Sequence, residues 1–236
     1  MNSIQNQTQE IFSFHYLNIP FYKIPYYLFF KRSFKKLKGL NHCEFLIPMQ
    51  LGEPLFGLRR YRLTEIAFLA FWETEENLNQ FLSSSISKSF QTGWYVRLRL
   101  YRKWGEISEI VSATLYNRNS KNENTTVAIT LARLKLTQLF RFTKWGKPVE
   151  TQVRNHPGKQ IAFAAFRPPR HFLTFSIWDS EANMIQMVTG KDPNQDGLQH
   201  KEAMLERNRK DFHFEFTTLR FELLGKHGLE NINKSI

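Results

Sequence analysis

The chain spells one unit twice. Residues 66–82 read IAFLAFWETEENLNQFL, and residues 171–188 read HFLTFSIWDSEANMIQMV. Aligned on Trp72 and Trp178, Glu73 pairs with Asp179, Thr74 with Ser180, Glu75 with Glu181, Asn77 with Asn183 and Gln80 with Gln186. In both copies an apolar strand runs through a Trp and an acidic residue to a small hydroxyl residue, and then into a helix. Thr74 and Ser180 suit the N-cap, where a side-chain oxygen accepts a free backbone N–H, while Glu75 and Glu181 oppose the positive end of the helix dipole. Leu78, Phe81 and Leu82 recur at helical spacing, as do Met184, Met187 and Val188, so both helices bury the same kind of face. A chain carrying this unit twice is restricted to folds with two similar halves.

The rest of the sequence fills in those halves. Strands are expected at 12–17, 43–49, 66–72 and 94–104 in the first, and at 127–133, 161–166, 171–178 and 212–223 in the second. The stretch WYVRLRLYRKW alternates strictly, with Val96, Leu98 and Leu100 on one side and Tyr95, Arg97, Arg99 and Tyr101 on the other. Pro20 opens a helical segment ending at Gly39, expected to begin in earnest after Pro25, with Phe30, Phe34 and Leu37 on one face and Lys31, Arg32, Lys35, Lys36 and Lys38 on the others. A basic helix is expected at 136–154 and another helix at 200–209. The polar run NRNSKNENT at 117–125 has almost nothing to bury and marks the boundary between halves. Each half then reads strand, helix, strand, strand, helix, strand. The expected fold is α+β: two tandem ferredoxin-like βαββαβ repeats, at 12–112 and 126–224 with tails at 1–11 and 225–236, forming a single body like a dimeric α/β-barrel. The interior of such a barrel is either packed with side chains or left as a ligand cavity. The 22 Phe, 8 Tyr and 5 Trp favour the cavity, lined by aromatics.

The 33 basic and 21 acidic residues leave a net charge of +12, so anionic partners come into view: nucleic acid or a lipid surface. Nucleic acid ranks last, because the Arg97 and Arg99 strand has no RNP-like motif beside it. The basic, aromatic-fronted helix suits peripheral contact with an anionic membrane. A single cysteine, Cys43, excludes an internal disulfide framework and fits a reducing compartment. The polar start MNSIQNQTQE is not a signal peptide, and no run reaches the roughly 20 apolar residues of a membrane span. Together these point to a cytoplasmic protein that touches the inner face of the membrane.

Phosphate-binding loops, the Gly-x-Ser-x-Gly elbow, paired-cysteine zinc sites and His-Glu-x-x-His are missing, so the corresponding chemistries have no support. Asp192, Asn194, Asp196 and Gly197 imitate an EF-hand start, but Ala203 stands where the bidentate carboxylate is needed. Among the 7 histidines, His200 is distinctive: it opens the helix HKEAMLERNR after a polar loop. A neutral imidazole there suits a haem ligand or a proton relay.

The run TFSIWDSEANMIQMV, then His200 with Ala203, then a closing strand with Glu215 and the pair Arg220 and Phe221, together with the upstream strand AITLARL, resembles the spheroidene monooxygenase family of carotenoid-modifying enzymes. The resemblance implies an oxygenase that adds oxygen to a linear carotenoid, using haem, O2 and an external electron donor. The matching positions are Thr130, Thr174, Phe175, Trp178, His200, Glu215, Arg220 and Phe221. On this reading His200, Glu215 and Arg220 are catalytic, His200 is the metal ligand with Cys43 as second choice, and Thr130, Phe175 and Trp178 join His200 in holding the cofactor. The chain departs from the family pattern at Leu131 (an Arg is expected), Phe212 (Trp), Phe216 (a second Glu) and the segment AFAAFRPPRH (Gly-rich). A non-catalytic carrier of an apolar ligand or of haem on the same fold is the alternative.

Overall fold

The computed structural model describes residues 9–29, 34, 36–118, 124–190 and 199–229. Eight antiparallel strands close into a barrel with helices on its outside. The first half contributes β1 (Ile11–Asn18), α1 (Ile24–Phe29), β2 (Leu40–Met49), β3 (Glu65–Trp72), α2 (Glu75–Ser83) and β4 (Trp94–Glu106). The second contributes β5 (Thr126–Leu134), α3 (Leu139–Asn155), β6 (Lys159–Arg167), β7 (His171–Trp178), α4 (Glu181–Thr189), α5 (Gln199–Arg209) and β8 (His213–His227). Around the barrel the order is β4-β1-β3-β2 and then β6-β7-β5-β8, closing from β8 to β4. The two halves therefore order their strands alike. They are joined by three residue pairs between β2 and β6, beginning with Ile47 and Phe166, and by a long β4–β8 ladder.

The doubled unit folds as its residues dictate. Thr74 Oγ1 accepts the Asn77 N–H at 3.1 Å, and Ser180 Oγ accepts the Asn183 N–H at 3.2 Å, so each hydroxyl closes the first turn of its helix. Both Trp residues are buried on the outward face of the barrel, each donating its indole N–H to a serine: Trp72 to Ser13 at 2.9 Å and Trp178 to Ser176 at 2.8 Å. The first helical segment differs from expectation. It begins at Ile24, before Pro25, since a proline in the first turn removes an N–H that has no intrahelical partner anyway. Phe34 is buried, whereas the aromatics left exposed are Phe21, Tyr22, Tyr26 and Phe29. Phe30, Lys31, Arg32 and Lys35 lie outside the described residues, as do all of 192–197 and part of the expected boundary 117–125.

The inward-facing residues correct the expected hollow. Phe12 and Phe71 stack at 4.5 Å, Phe14 and Phe175 at 4.2 Å, and Tyr16 and Trp94 at 5.4 Å between ring centroids. Val96, Leu98, Val127, Ile129, Leu131, Phe163, Leu219 and Phe221 complete the same buried cluster. An eight-stranded barrel has an interior just wide enough for side chains to fill it, and these rings fill it. One mouth is covered by the segment after β4, through Ile107, Ile110 and Ala113. Outside the barrel, α1 and α2 seal one sheet face with Leu28, Phe45, Phe68, Trp72 and Phe81. On the other, α3 covers Ala132, Ala162, Ala164 and Phe172, and α4 covers Trp178. No helix among the described residues is long and apolar enough to cross a membrane.

Candidate ligand site on the helical side of the second half

A groove lies outside the barrel, where the β2–β3 connection reaches across to α3. Glu150 on α3 accepts two hydrogen bonds from the buried Arg60 guanidinium, at 2.6 and 2.9 Å, and a third from the Gly52 backbone N–H at 2.9 Å. Arg154 donates to the Leu51 carbonyl at 3.2 Å. This double clamp holds residues 51–60 against one side of the helix. Between them runs a groove of about 930 Å³ walled by Pro54, Leu55 and Phe56 on one side and by Phe140, Lys144, Lys147 and Pro148 on the other. The Phe56 and Phe140 rings face each other at 6.3 Å yet are 77% and 75% exposed. Exposed facing rings in a groove near the upper size for small-molecule sites mark a place where an apolar ligand would remove surface from water. Lys144 and Lys147 give that wall a cationic end.

Gln152 connects the groove to the helices behind it. It lines the groove, donates to the Met187 carbonyl at 3.1 Å and accepts the His200 backbone N–H at 3.3 Å, tying α3 to the end of α4 and the start of α5. Arg141 reinforces the α3–α5 contact by donating to Glu206 at 2.7 Å. His200 thus sits one residue beyond the groove-lining Gln199, and its own ring is not part of the lining. Burial holds the imidazole below its ordinary pKa against a hydrogen bond to the Val188 backbone, so it is neutral at pH 7. A neutral ring with one nitrogen engaged by the backbone keeps its other nitrogen's lone pair, the arrangement of a histidine ligand to a metal.

The other residues singled out by sequence fall into three places. Thr130, Thr174 and Arg220 lie on the outward sheet face. Thr174 pairs across the ladder with Thr130, and Thr130 with Thr218, forming a row of threonines flanked by the α3-covered cluster on one side and the α4-covered cluster on the other. Thr174 is exposed and Thr130 half-buried, so neither helix closes over the row. Arg220, on the same face, donates to the buried Glu181 carboxylate at 2.8 Å, and Trp178 is packed beneath α4. Phe175 and Phe221 point into the filled barrel. Cys43, the second axial choice, is buried under the helices of the first half.

Glu215 is in a third place, a charged ring at the covered barrel mouth that sequence reading missed. Glu44, His42, Arg133, Arg167, His171 and Glu215 share the strand parity of the inward apolar residues, but gather toward the covered mouth. Glu44 is fully buried. Its carboxylate meets Arg133 Nη2 at 2.5 Å, His42 Nε2 at 3.3 Å and His171 Nδ1 at 3.5 Å. Burial would push this carboxyl up, but the hydrogen bonds with His171 and His42 and the Arg133 charge outweigh it and hold the group well below the usual carboxylate range. One signal was legible: a glutamate in the middle of an apolar strand, at inward parity.

No protein-family model matches the chain, and no curated protein matches it. Solved structures share its fold. The aldoxime dehydratase OxdRE, in complex with butyraldoxime, superposes with a TM-score of 0.58 at 8% identity, covering 93% of this chain and 81% of that one. Another aldoxime dehydratase gives 0.57 at 8% identity, with coverages of 93% and 83%. A ferredoxin-fold protein related to antibiotic biosynthesis monooxygenases, from Listeria monocytogenes, gives 0.31 at 13% identity over 92% and 98%. At these identities the likeness to the two aldoxime dehydratases shows the fold alone, an α+β barrel.

Proposed function

We propose that this protein is a monooxygenase acting on an elongated apolar substrate, a carotenoid or related isoprenoid, which it takes into the groove between α3 and residues 54–56. The two halves are read as tandem copies of one ferredoxin-like unit, with α3 of the second forming one wall of the site and residues 54–56 of the first the other. The observation that carries the proposal is the groove itself: about 930 Å³, with facing exposed rings and a lysine end.

Haem is the proposed cofactor. Lys144 and Lys147 in the groove are suited to anionic propionates, while His200, the ligand the family resemblance implies, follows the groove-lining Gln199 with its own ring outside the lining; when bound, haem would supply O2 activation with electrons from an external donor. The chain's residues do the rest. Phe56 and Phe140 exclude water from an apolar chain, and Gln152 fixes the start of α5. Delivery from a membrane follows from Phe21, Tyr22, Tyr26 and Phe29, which stand exposed around α1 immediately before the basic sequence at Lys31 and Arg32. Glu215 and Arg220, proposed from the family resemblance as catalytic, stand apart from the groove in different ion networks.

A second reading, a non-catalytic carrier, is favoured by the groove lining, which among the described residues includes lysines but no histidine or carboxylate. Titration with haem and with a linear polyene carboxylic acid separates the two. The oxygenase shows a Soret band that is lost in His200→Ala; the carrier binds the polyene without iron. Protein that takes up neither excludes both.

A further inference from the structure

Three carboxylates converge on one guanidinium at the covered barrel mouth. Arg133 lies 2.5 Å from Glu44, 3.2 Å from Glu109 and 3.9 Å from Glu215. Arg167, the next cation, is turned to the His171 ring at 2.7 Å. Around Arg133, then, one positive charge answers three negative ones, and Glu44 is fully buried. Glu44 is paired directly with Arg133, while the Glu109 and Glu215 side chains are 34% and 36% exposed, so the surplus negative charge runs from the interior to the solvent edge of the mouth. His42 stands beside this surplus, and one ligand atom from each of His42, Glu44 and Glu109 falls within 4.8 Å of the other two. A second feature points to an absent group: Arg133 Nη1 is buried with no hydrogen-bond partner among the described residues, on a side chain only 5% exposed.

We propose that His42, Glu44 and Glu109 bind a divalent first-row transition-metal cation. One imidazole and two carboxylates are the nitrogen and oxygen donors that suit Zn²⁺ or Mn²⁺. The cation neutralises the surplus charge, and a water on it accepts the idle Arg133 Nη1–H. Glu109, on the segment that covers the mouth, is the most exposed of the three and opens the site to solvent. Arg133 keeps Glu44 and Glu109 facing one another and is a positioning residue here, not a ligand. The site is independent of the groove and of His200.

The test uses the full chain stripped by chelator and titrated with Zn²⁺, Mn²⁺ and Co²⁺. Calorimetry should show one equivalent bound, the Co²⁺ form should gain visible d–d absorption, and the melting temperature should rise with metal. His42→Ala and Glu109→Gln alter side chains outside the apolar core and should fold, yet weaken binding by at least about tenfold; His200→Ala should bind as the wild type does. The proposal is overturned if the folded wild type takes up none of the three ions, or if both variants bind them as the wild type does.

Discussion

Replacing Phe175 by Ala distinguishes a packed barrel from a hollow one. Its ring is 1% exposed and stacked against Phe14 at 4.2 Å and Phe163 at 5.3 Å, with Trp94 at 5.7 Å. Truncating a buried Phe costs about 3–5 kcal/mol, from lost transfer and the cavity left behind. Three aromatic neighbours, each worth roughly 0.5–1.5 kcal/mol beyond area, place Phe175 near the top of that range. In a chain of this length about 4 kcal/mol lowers the melting temperature by roughly 8–16 °C. Phe175→Leu keeps most of the volume and should cost about 1.5 kcal/mol or less. Guanidinium unfolding followed by circular dichroism measures both. A loss below about 1 kcal/mol in Phe175→Ala, accompanied by weaker ligand binding, would refute the packed interior and restore Phe175 to a pocket wall.

Acid should unfold the protein through its buried histidines. His15, enclosed by Phe68, Phe81, Phe90 and Tyr95, is pushed down to about 3 by burial, and burial likewise pushes His213 down to about 4. Below pH 6.5 the unfolded chain binds these protons and the folded chain does not, so stability is full above 6.5 and falls as the pH drops toward those values. His15 alone accounts for roughly 5 kcal/mol. His15→Gln should flatten stability between pH 6.5 and 4; an unchanged slope counts against the assignment. Glu150→Ala leaves Arg60 buried and uncompensated, which costs about 3 kcal/mol and releases residues 51–60 from α3. Both unfolding and ligand titration should register it, and a variant with full stability would show that the clamp does not hold the groove.

The architecture was readable because its signals are local. Trp72 and Trp178 mark equivalent turns, Thr74 and Ser180 cap equivalent helices, and the alternation of Val96, Leu98 and Leu100 with Arg97 and Arg99 gives the inward and outward faces of β4. What that alternation cannot say is whether inward rings from opposite walls meet. Phe14 on β1 and Phe175 on β7 are far apart in sequence, and only barrel diameter decides that they stack. The groove was hidden for a related reason. Residues 54–60 read as a loop, and its partner Glu150 lies in the other half of the chain. The charged mouth was partly visible, since Glu44 and Arg133 sit at inward positions, but their convergence depends on the β2–β6 seam and the turn into β7. His200 is a different case. Its helix and preceding loop drew attention to it, whereas the lowering of its pKa arises from burial, against the Val188 backbone hydrogen bond, which only the folded chain provides.

Binding of a fluorescent linear polyene carboxylic acid tests the account most directly, compared in wild type, Phe140→Ala, Lys147→Glu and Phe175→Leu. Phe140 is exposed, so its loss should change stability by less than about 0.5 kcal/mol. Phe140→Ala and Lys147→Glu are predicted to weaken binding by about tenfold, with Phe175→Leu binding as the wild type does. Binding that survives both groove substitutions but is lost in Phe175→Leu would contradict a ligand site on the outside of a filled barrel.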